Sequence, residues 1–167
     1  MRRSVIVGAV FTGLVLALAA TSPSAALAAA HGTDRPLTGT NTGTGTLNLD
    51  TGAQTVNFSG HLSHLGADTG HADLTLTFTS ASTFTYTGTR TFVAANGDEV
   101  FSAVTGSGTS TPPTAESTET DTITGGTGRF AGATGTYTNT VSSVIISATE
   151  NTVTTRVTAA VQGQISY

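Results

Sequence analysis

The sequence predicts an all-β protein built as a single eight-stranded antiparallel β-barrel. After residue 42 the chain is a succession of runs in which threonine recurs at alternate positions, and its branched β-carbon suits a pleated, half-exposed surface. After residue 30 no segment shows helical periodicity. Short turns separate eight such runs, and closure into a barrel removes the edges that an open sheet exposes. A two-sheet β-sandwich uses the same pattern and stays open as the alternative.

The first four strands are predicted at residues 43–50, 55–64, 72–79 and 83–94. In each of the last three, apolar residues alternate with polar ones, which is typical of a strand with one buried face. The fourth is the clearest, because every odd position from Thr83 to Thr91 is threonine. The segment 65–70 reads as a loop. The even positions of the fourth strand, expected to face inward, are Phe84, Tyr86, Gly88, Arg90 and Phe92.

The last four strands are predicted at residues 99–107, 115–124, 135–147 and 152–166. Asn96-Gly97 before the fifth strand is a strong hairpin signal, and Pro112-Pro113 separates the fifth strand from the sixth. The barrel domain is therefore expected over residues 43–167, after a flexible lead-in at 31–42. The last strand places one apolar set on one face, namely Val153, Val157, Ala159, Val161 and Ile165.

Residues 1–30 have the pattern of a secretory signal peptide. Arg2 and Arg3 give a positive start, an apolar run covers residues 5–20, and small-residue cleavage sites end at Ala28 and Ala30. A retained membrane anchor is the alternative, but the run is short for a span of about 20 residues. We therefore expect export, with an extracellular mature protein.

Composition excludes several classes of partner and site. There is no cysteine, so neither a disulfide framework nor a thiolate site is available. All six basic residues are arginines, and removal of Arg2 and Arg3 leaves four of them against ten acidic residues. Nucleic acids and anionic membrane surfaces favour clustered Lys and Arg, so neither is an expected partner of the mature chain. The sequence indicates no cofactor.

A glycine-rich segment at residues 123–138 lies between the sixth and seventh strands. A run this rich in glycine cannot continue one straight strand, so it predicts a corner, with Phe130 as its buried plug. The glycines assigned to this structural motif are Gly125, Gly126, Gly128, Gly132 and Gly135.

Two motifs carry a resemblance to a known superfamily. The segment Ile123–Gly135, ITGGTGRFAGATG, resembles the glycine-rich motif of the allene oxide cyclase and dirigent barrels, especially a group of secreted bacterial proteins. The segment Ser63–Gly66, SHLG, is similar to a short signature of those bacterial proteins. The resemblance implies the eight-stranded antiparallel barrel. It carries over no activity, because the plant enzymes' catalytic residues have no counterpart that can be placed here.

Histidines and aspartates early in the chain raise the question of a metal site. His61 and His64 lie three apart on a predicted strand and face opposite sides, so they do not chelate one ion readily. A site of His64, Asp68 and His71 across the loop is the remaining arrangement. Solvated loop histidines explain the pattern more simply, and no metal is predicted.

Polar residues on the expected inner face are the candidate site. Arg90 shares its face with three aromatic residues, and a buried arginine needs an anion or a full set of acceptors. Glu119 and Asp121 share one face of the sixth strand and are positioned to meet it. Either this is a structural ion pair, or Arg90 and Tyr86 grip an acidic or hydroxylated ligand. The candidate pocket residues are Tyr86, Arg90, Glu119, Asp121 and His64.

Two functions are consistent with these residues. The first is a secreted, non-catalytic barrel that binds a small ligand or acts structurally at the cell exterior. The alternative is an isomerase or cyclase-like enzyme that shapes a small hydrophobic substrate inside the barrel, since confinement alone accelerates some reactions. The first is preferred, because no acid–base or nucleophile set is recognisable in the sequence. A large apolar cavity lined by Tyr86, Arg90 and an acid would favour a binder or an enzyme, and a solidly packed barrel would favour a structural role.

Overall fold

A computed structural model describes residues 32–167 as one closed antiparallel barrel. Each strand pairs with the next along the chain, and β8 returns to pair with β1 along its whole length. The predicted barrel is confirmed and the sandwich alternative is wrong, because the sheet has no free edge. The strands are β1 (Arg35–Asn48), β2 (Ala53–Leu62), β3 (Gly66–Phe78), β4 (Thr83–Val93), β5 (Glu99–Thr111), β6 (Thr114–Gly126), β7 (Thr134–Ala148) and β8 (Thr152–Ser166).

Two strands begin well before their predicted starts. β1 begins at Arg35, so the flexible lead-in predicted at residues 31–42 is wrong from that residue onward. The whole of this segment pairs with β8, and Leu37 and Asn41 are buried. β3 begins at Gly66, so the loop predicted at residues 65–70 is mostly strand. The predicted signal peptide, residues 1–30, lies outside the described residues.

One end of the barrel is closed by a hydrophobic cluster around Phe130. The glycine segment ends β6, forms a 3-10 turn at Gly128–Phe130 and enters β7, so the predicted corner is confirmed. Phe130 is completely buried, as predicted for its plug, and its ring packs edge-on against Tyr167 with the ring centroids 4.8 Å apart. The other buried members of this cluster are Leu37, Leu62, Leu65, Phe92, Ala94, Val100, Ile123, Ala133, Tyr137, Val161 and Ile165.

The turn at Gly128 shows why this corner contains glycine. Gly128 has a φ of +53°, and a Cβ atom there would lie 1.8 Å from the carboxylate of Asp98. That carboxylate accepts hydrogen bonds from the backbone N–H of Arg129 and the side-chain amide of Asn96. The hairpin between β4 and β5 is thereby joined to the corner between β6 and β7, which holds the closed end together.

The opposite half of the interior is packed less completely. A second cluster lines it, and two of its aromatic rings lie over glycines on the neighbouring strand: Tyr86 over Gly106 and Phe84 over Gly108. At the rim, Leu49 and Phe78 are 41% and 50% exposed. This half therefore contains an open cavity, here called the cup, which ends at the residues that fill the other half.

Candidate functional site

The cup is a cavity of about 340 Å³ that opens at the end of the barrel opposite Phe130. Inward-facing residues of the strands form its walls, because alternate side chains of a closed sheet point to the interior. The apolar wall residues include Leu47, Val56, Phe58, Leu74, Leu76, Phe84, Val141, Ile145, Val153, Val157, Ala159 and Val161.

An ion-paired cluster forms the floor of this cavity. The Arg90 guanidinium lies 2.5 Å from Glu119 Oε1 and 2.7 Å from Asp121 Oδ2, one terminal nitrogen to each carboxylate. The side chains of Glu119 and Asp121 are 2% and 0% exposed, and that of Arg90 is 10% exposed. The predicted pairing of Arg90 with these acids is confirmed, and it involves both of them.

Uncharged side chains complete the hydrogen bonding of the two acids. Tyr137 Oη donates to Asp121 Oδ2 at 2.8 Å, and Ser102 Oγ lies 3.2 Å from the same oxygen. Asn139 Nδ2 donates to Glu119 Oε1 at 2.7 Å. The cluster thus spans β4, β5, β6 and β7, with buried charge surrounded by donors as a low-dielectric interior requires.

Burial and charge shift the pKa values in this cluster in opposing ways. Burial raises the pKa of Asp121 to about 6, although the neighbouring Arg90 charge works against that rise. Burial by itself would lower the pKa of Arg90, but the charges of Glu119 and Asp121 outweigh it and leave the pKa raised. Burial, followed by the charge of Glu119, raises the pKa of Tyr86, so its hydroxyl remains protonated and donates to Ser117 at 3.0 Å. The floor thus combines one basic side chain with two acidic ones.

A second polar pair contributes to the cavity from β1 and β3. Asn41 Nδ2 donates to Asp68 Oδ1 at 2.5 Å, and both residues are buried. Burial raises the pKa of Asp68, and the hydrogen bond from Asn41 opposes that rise. Asn41 lines the cavity, and Asp68 lies behind it.

The structure brings most of the predicted pocket residues together. Tyr86, Arg90 and Glu119 line the cavity, while Asp121 is not part of the lining and pairs with Arg90. His64 is wrongly placed by the prediction: it lies in the turn between β2 and β3, at the closed end, with a φ of +69°. Its ring stands near Tyr167, far from the cavity lining.

The metal arrangement considered for His64, Asp68 and His71 does not form. Asp68 points into the barrel, whereas His71 is exposed on the outer face of the same strand and His64 lies in the preceding turn. Within residues 32–167 no three His, Cys, Asp or Glu side chains converge as metal ligands.

Two cavity asparagines were missed by reasoning from the sequence. Asn139 alternates with Tyr137 and Val141 on β7, so its inward direction was readable from the period-two pattern. Asn41 lies in the segment predicted as a lead-in, and its threonine and glycine neighbours gave no apolar signal.

Comparisons with known proteins leave the family open. No protein-family model, curated protein or solved structure matches the chain. Among residues 32–167 there is no helix of the length and hydropathy that a membrane span requires.

Proposed function

We propose that this protein is a secreted, non-catalytic barrel that binds a small, largely apolar molecule in its open cavity. The observation that carries the proposal is the cavity itself, about 340 Å³ in volume, with apolar walls and a polar floor. Ligand sites typically occupy about 300–1,000 Å³ and combine apolar walls with a few placed polar groups. The volume lies at the lower end of that range, so the expected ligand is small.

The packing also supports binding over a purely structural role. A small barrel can fill its interior with its own side chains. Here the closed end is filled in this way, but the other half keeps Ala115, Ala159 and Gly43 on its lining. An apolar molecule that enters would remove both its own surface and these walls from water, which is the main driving force for such binding.

Export and superfamily membership are parts of the same proposal. The signal-like pattern of residues 1–30 supports export. The motifs ITGGTGRFAGATG and SHLG support membership of the allene oxide cyclase and dirigent-like barrel superfamily. N-terminal sequencing of the protein from culture medium tests export, and an intact Met1 there would contradict it.

Two adjacent alanines on β8 provide a matched test of cavity binding. Ala159 lines the cavity, whereas Ala160 is exposed on the outer face. The neutral fluorophore phenylnaphthylamine should brighten on binding to the native protein. Ala159→Phe should fill the cavity and abolish the signal, and Ala160→Phe should leave it unchanged. Equal signals from the two variants would place the fluorophore on the surface and contradict the proposal.

One observation favours the enzymatic alternative, an isomerase or cyclase-like activity on a small hydrophobic substrate. Tyr86 and Glu119 face the same apolar cavity, where a phenol and a carboxyl group could transfer protons to a confined molecule. Native mass spectrometry of protein purified from culture medium would identify a retained compound. Conversion of that compound to an isomer of the same mass by the purified protein would favour the enzyme, and its release unchanged would favour the binder.

A further inference from the structure

Two asparagines of the cavity lining each carry a buried hydrogen-bond acceptor. The amide nitrogen of Asn139 donates to Glu119 and lies 3.3 Å from Asp121, and that of Asn41 donates to Asp68. Carboxylates accept hydrogen bonds, so these contacts fix which end of each amide faces the acid. The other end of each amide is therefore the carbonyl oxygen.

Neither carbonyl oxygen has a partner within the described chain. Asn41 Oδ1 and Asn139 Oδ1 are both buried and unpaired, and the two residues are only 5% and 1% exposed. The hydroxyl oxygen of Thr155, on the cavity wall, is likewise unpaired. A buried polar atom without a partner is destabilising, and most such atoms in native proteins are satisfied by protein, water or ligand. The two asparagine oxygens can be satisfied only by hydrogen-bond donors.

The charges at the floor also bear on the chemistry of the ligand's polar end. Arg90 is the sole basic residue among the described residues that line the cavity, and both of its terminal nitrogens are held by Glu119 and Asp121. A carboxylate on a ligand would meet two acids and find no free cation. Like charges brought together in a buried site repel strongly, so an anionic head group is disfavoured.

We propose that the ligand is an apolar molecule whose polar end is a hydrogen-bond donor without negative charge, an alcohol or an amine. Its head group donates to a free carbonyl oxygen at the floor, that of Asn139 or of Asn41, and its apolar body packs against the walls. This inference rests on the proposed binding function and specifies the chemical class of the ligand. Arg90 serves to hold the two acids in place and does not contact the head group.

Three probes with chains of equal length test the proposal on the native protein by titration calorimetry at pH 8. A secondary octanol and the octanone with the same carbon skeleton can both accept a hydrogen bond, but only the alcohol can donate one, and octanoate is the anion. We expect the alcohol to bind about tenfold more tightly than the ketone, as one net hydrogen bond of about 1.4 kcal/mol provides, and more tightly than octanoate. Equal binding of all three would overturn the donor inference while leaving cavity binding intact. No binding of any probe, together with no fluorophore signal, would overturn both.

A variant locates the preference at Asn139. Asn139→Leu leaves Arg90, Glu119 and Asp121 in place but removes one carbonyl oxygen, together with the amide nitrogen that donates to Glu119, so the ratio of alcohol to ketone affinity should fall severalfold. Asn57→Leu is the matched control, because Asn57 is exposed on the outer face of β2. An unchanged ratio in Asn139→Leu would contradict the proposal. The three-probe titration of the native protein decides the question if this variant does not fold.

Discussion

Replacing Arg90 with methionine should destabilise the barrel strongly. The substitution keeps an unbranched apolar stem among the rings of Phe58 and Phe92, whose centroids lie 5.8 and 6.0 Å from the guanidinium carbon. It removes the one cation that both Glu119 and Asp121 contact. Two buried carboxylates then remain without a counter-charge, and they retain only neutral donors such as Tyr137.

The size of the effect follows from the burial of the acids and depends on pH. Removing one partner of a buried ion pair costs about 3–5 kcal/mol, a large share of the roughly 5–15 kcal/mol that stabilises a domain. Arg90 works to lower the pKa of Asp121, so its loss should raise that pKa above its present value of about 6. A folded-state pKa above the unfolded value means that stability is gained as pH falls. The loss in Arg90→Met should therefore be largest at pH 7 and smaller at pH 4, where the Asp121 carboxyl group is neutral.

Urea denaturation followed by circular dichroism at pH 7 and pH 4 measures both quantities. Adding Glu119→Gln and Asp121→Asn to Arg90→Met should recover much of the loss at pH 7, because no buried charge is then left unpaired. Thr89→Val is the control, since Thr89 is exposed on the outer face of the same strand. A loss below about 1 kcal/mol at pH 7, or an equal loss at both pH values, would refute the ion-pair reasoning.

Two further substitutions test the closed end and the titration of the floor. Phe130→Ala should cost about 3–5 kcal/mol in the free energy of unfolding, because its ring is completely buried; a loss below about 1 kcal/mol would contradict its role as the plug. Asp121 has a folded-state pKa of about 6 against a reference value of 3.8, so its contribution is favourable below pH 3.8 and is lost as pH rises through 6. Asp121→Asn should therefore gain stability relative to the native protein between pH 4 and pH 7, by on the order of 3 kcal/mol at 1.36 kcal/mol per pKa unit. A relative stability that is constant with pH would contradict this assignment.

Strand alternation made most of the fold predictable from sequence. Threonine at every second position set the inward face of β4, and the same alternation placed Glu119 and Asp121 on the inward face of β6. The first part of β1, residues 35–42, was not predicted as strand because its inward positions include Gly39 and Asn41, which give no apolar signal. Its pairing with β8 is a long-range contact, and local sequence carries little information about such contacts.

The cavity was not predictable in the same way. Its volume depends on how far side chains from opposite walls reach across the barrel, and that distance is set by strand tilt and stagger. The misplacement of His64 has a related cause, because a turn with positive φ breaks the alternation that would have assigned it to a face. Parity therefore predicts which residues point inward but not which of them face empty space.

Two roles were considered for Arg90, a structural ion pair and a group that binds the ligand. Its contacts with both acids favour the structural role. Both terminal nitrogens of Arg90 contact acids, so its charge is matched within the protein, and the ion-paired side chain marks the depth at which the apolar walls end. Below it the interior is filled by the cluster around Phe130, and above it the walls enclose the cavity. A molecule that enters from the rim must stop at this polar layer, where an apolar end would leave the asparagine oxygens unpaired and a donor would satisfy them. In the proposed binding mode, the ion pair determines how deep a ligand sits, and the asparagines determine which end of the ligand lies at the cavity floor.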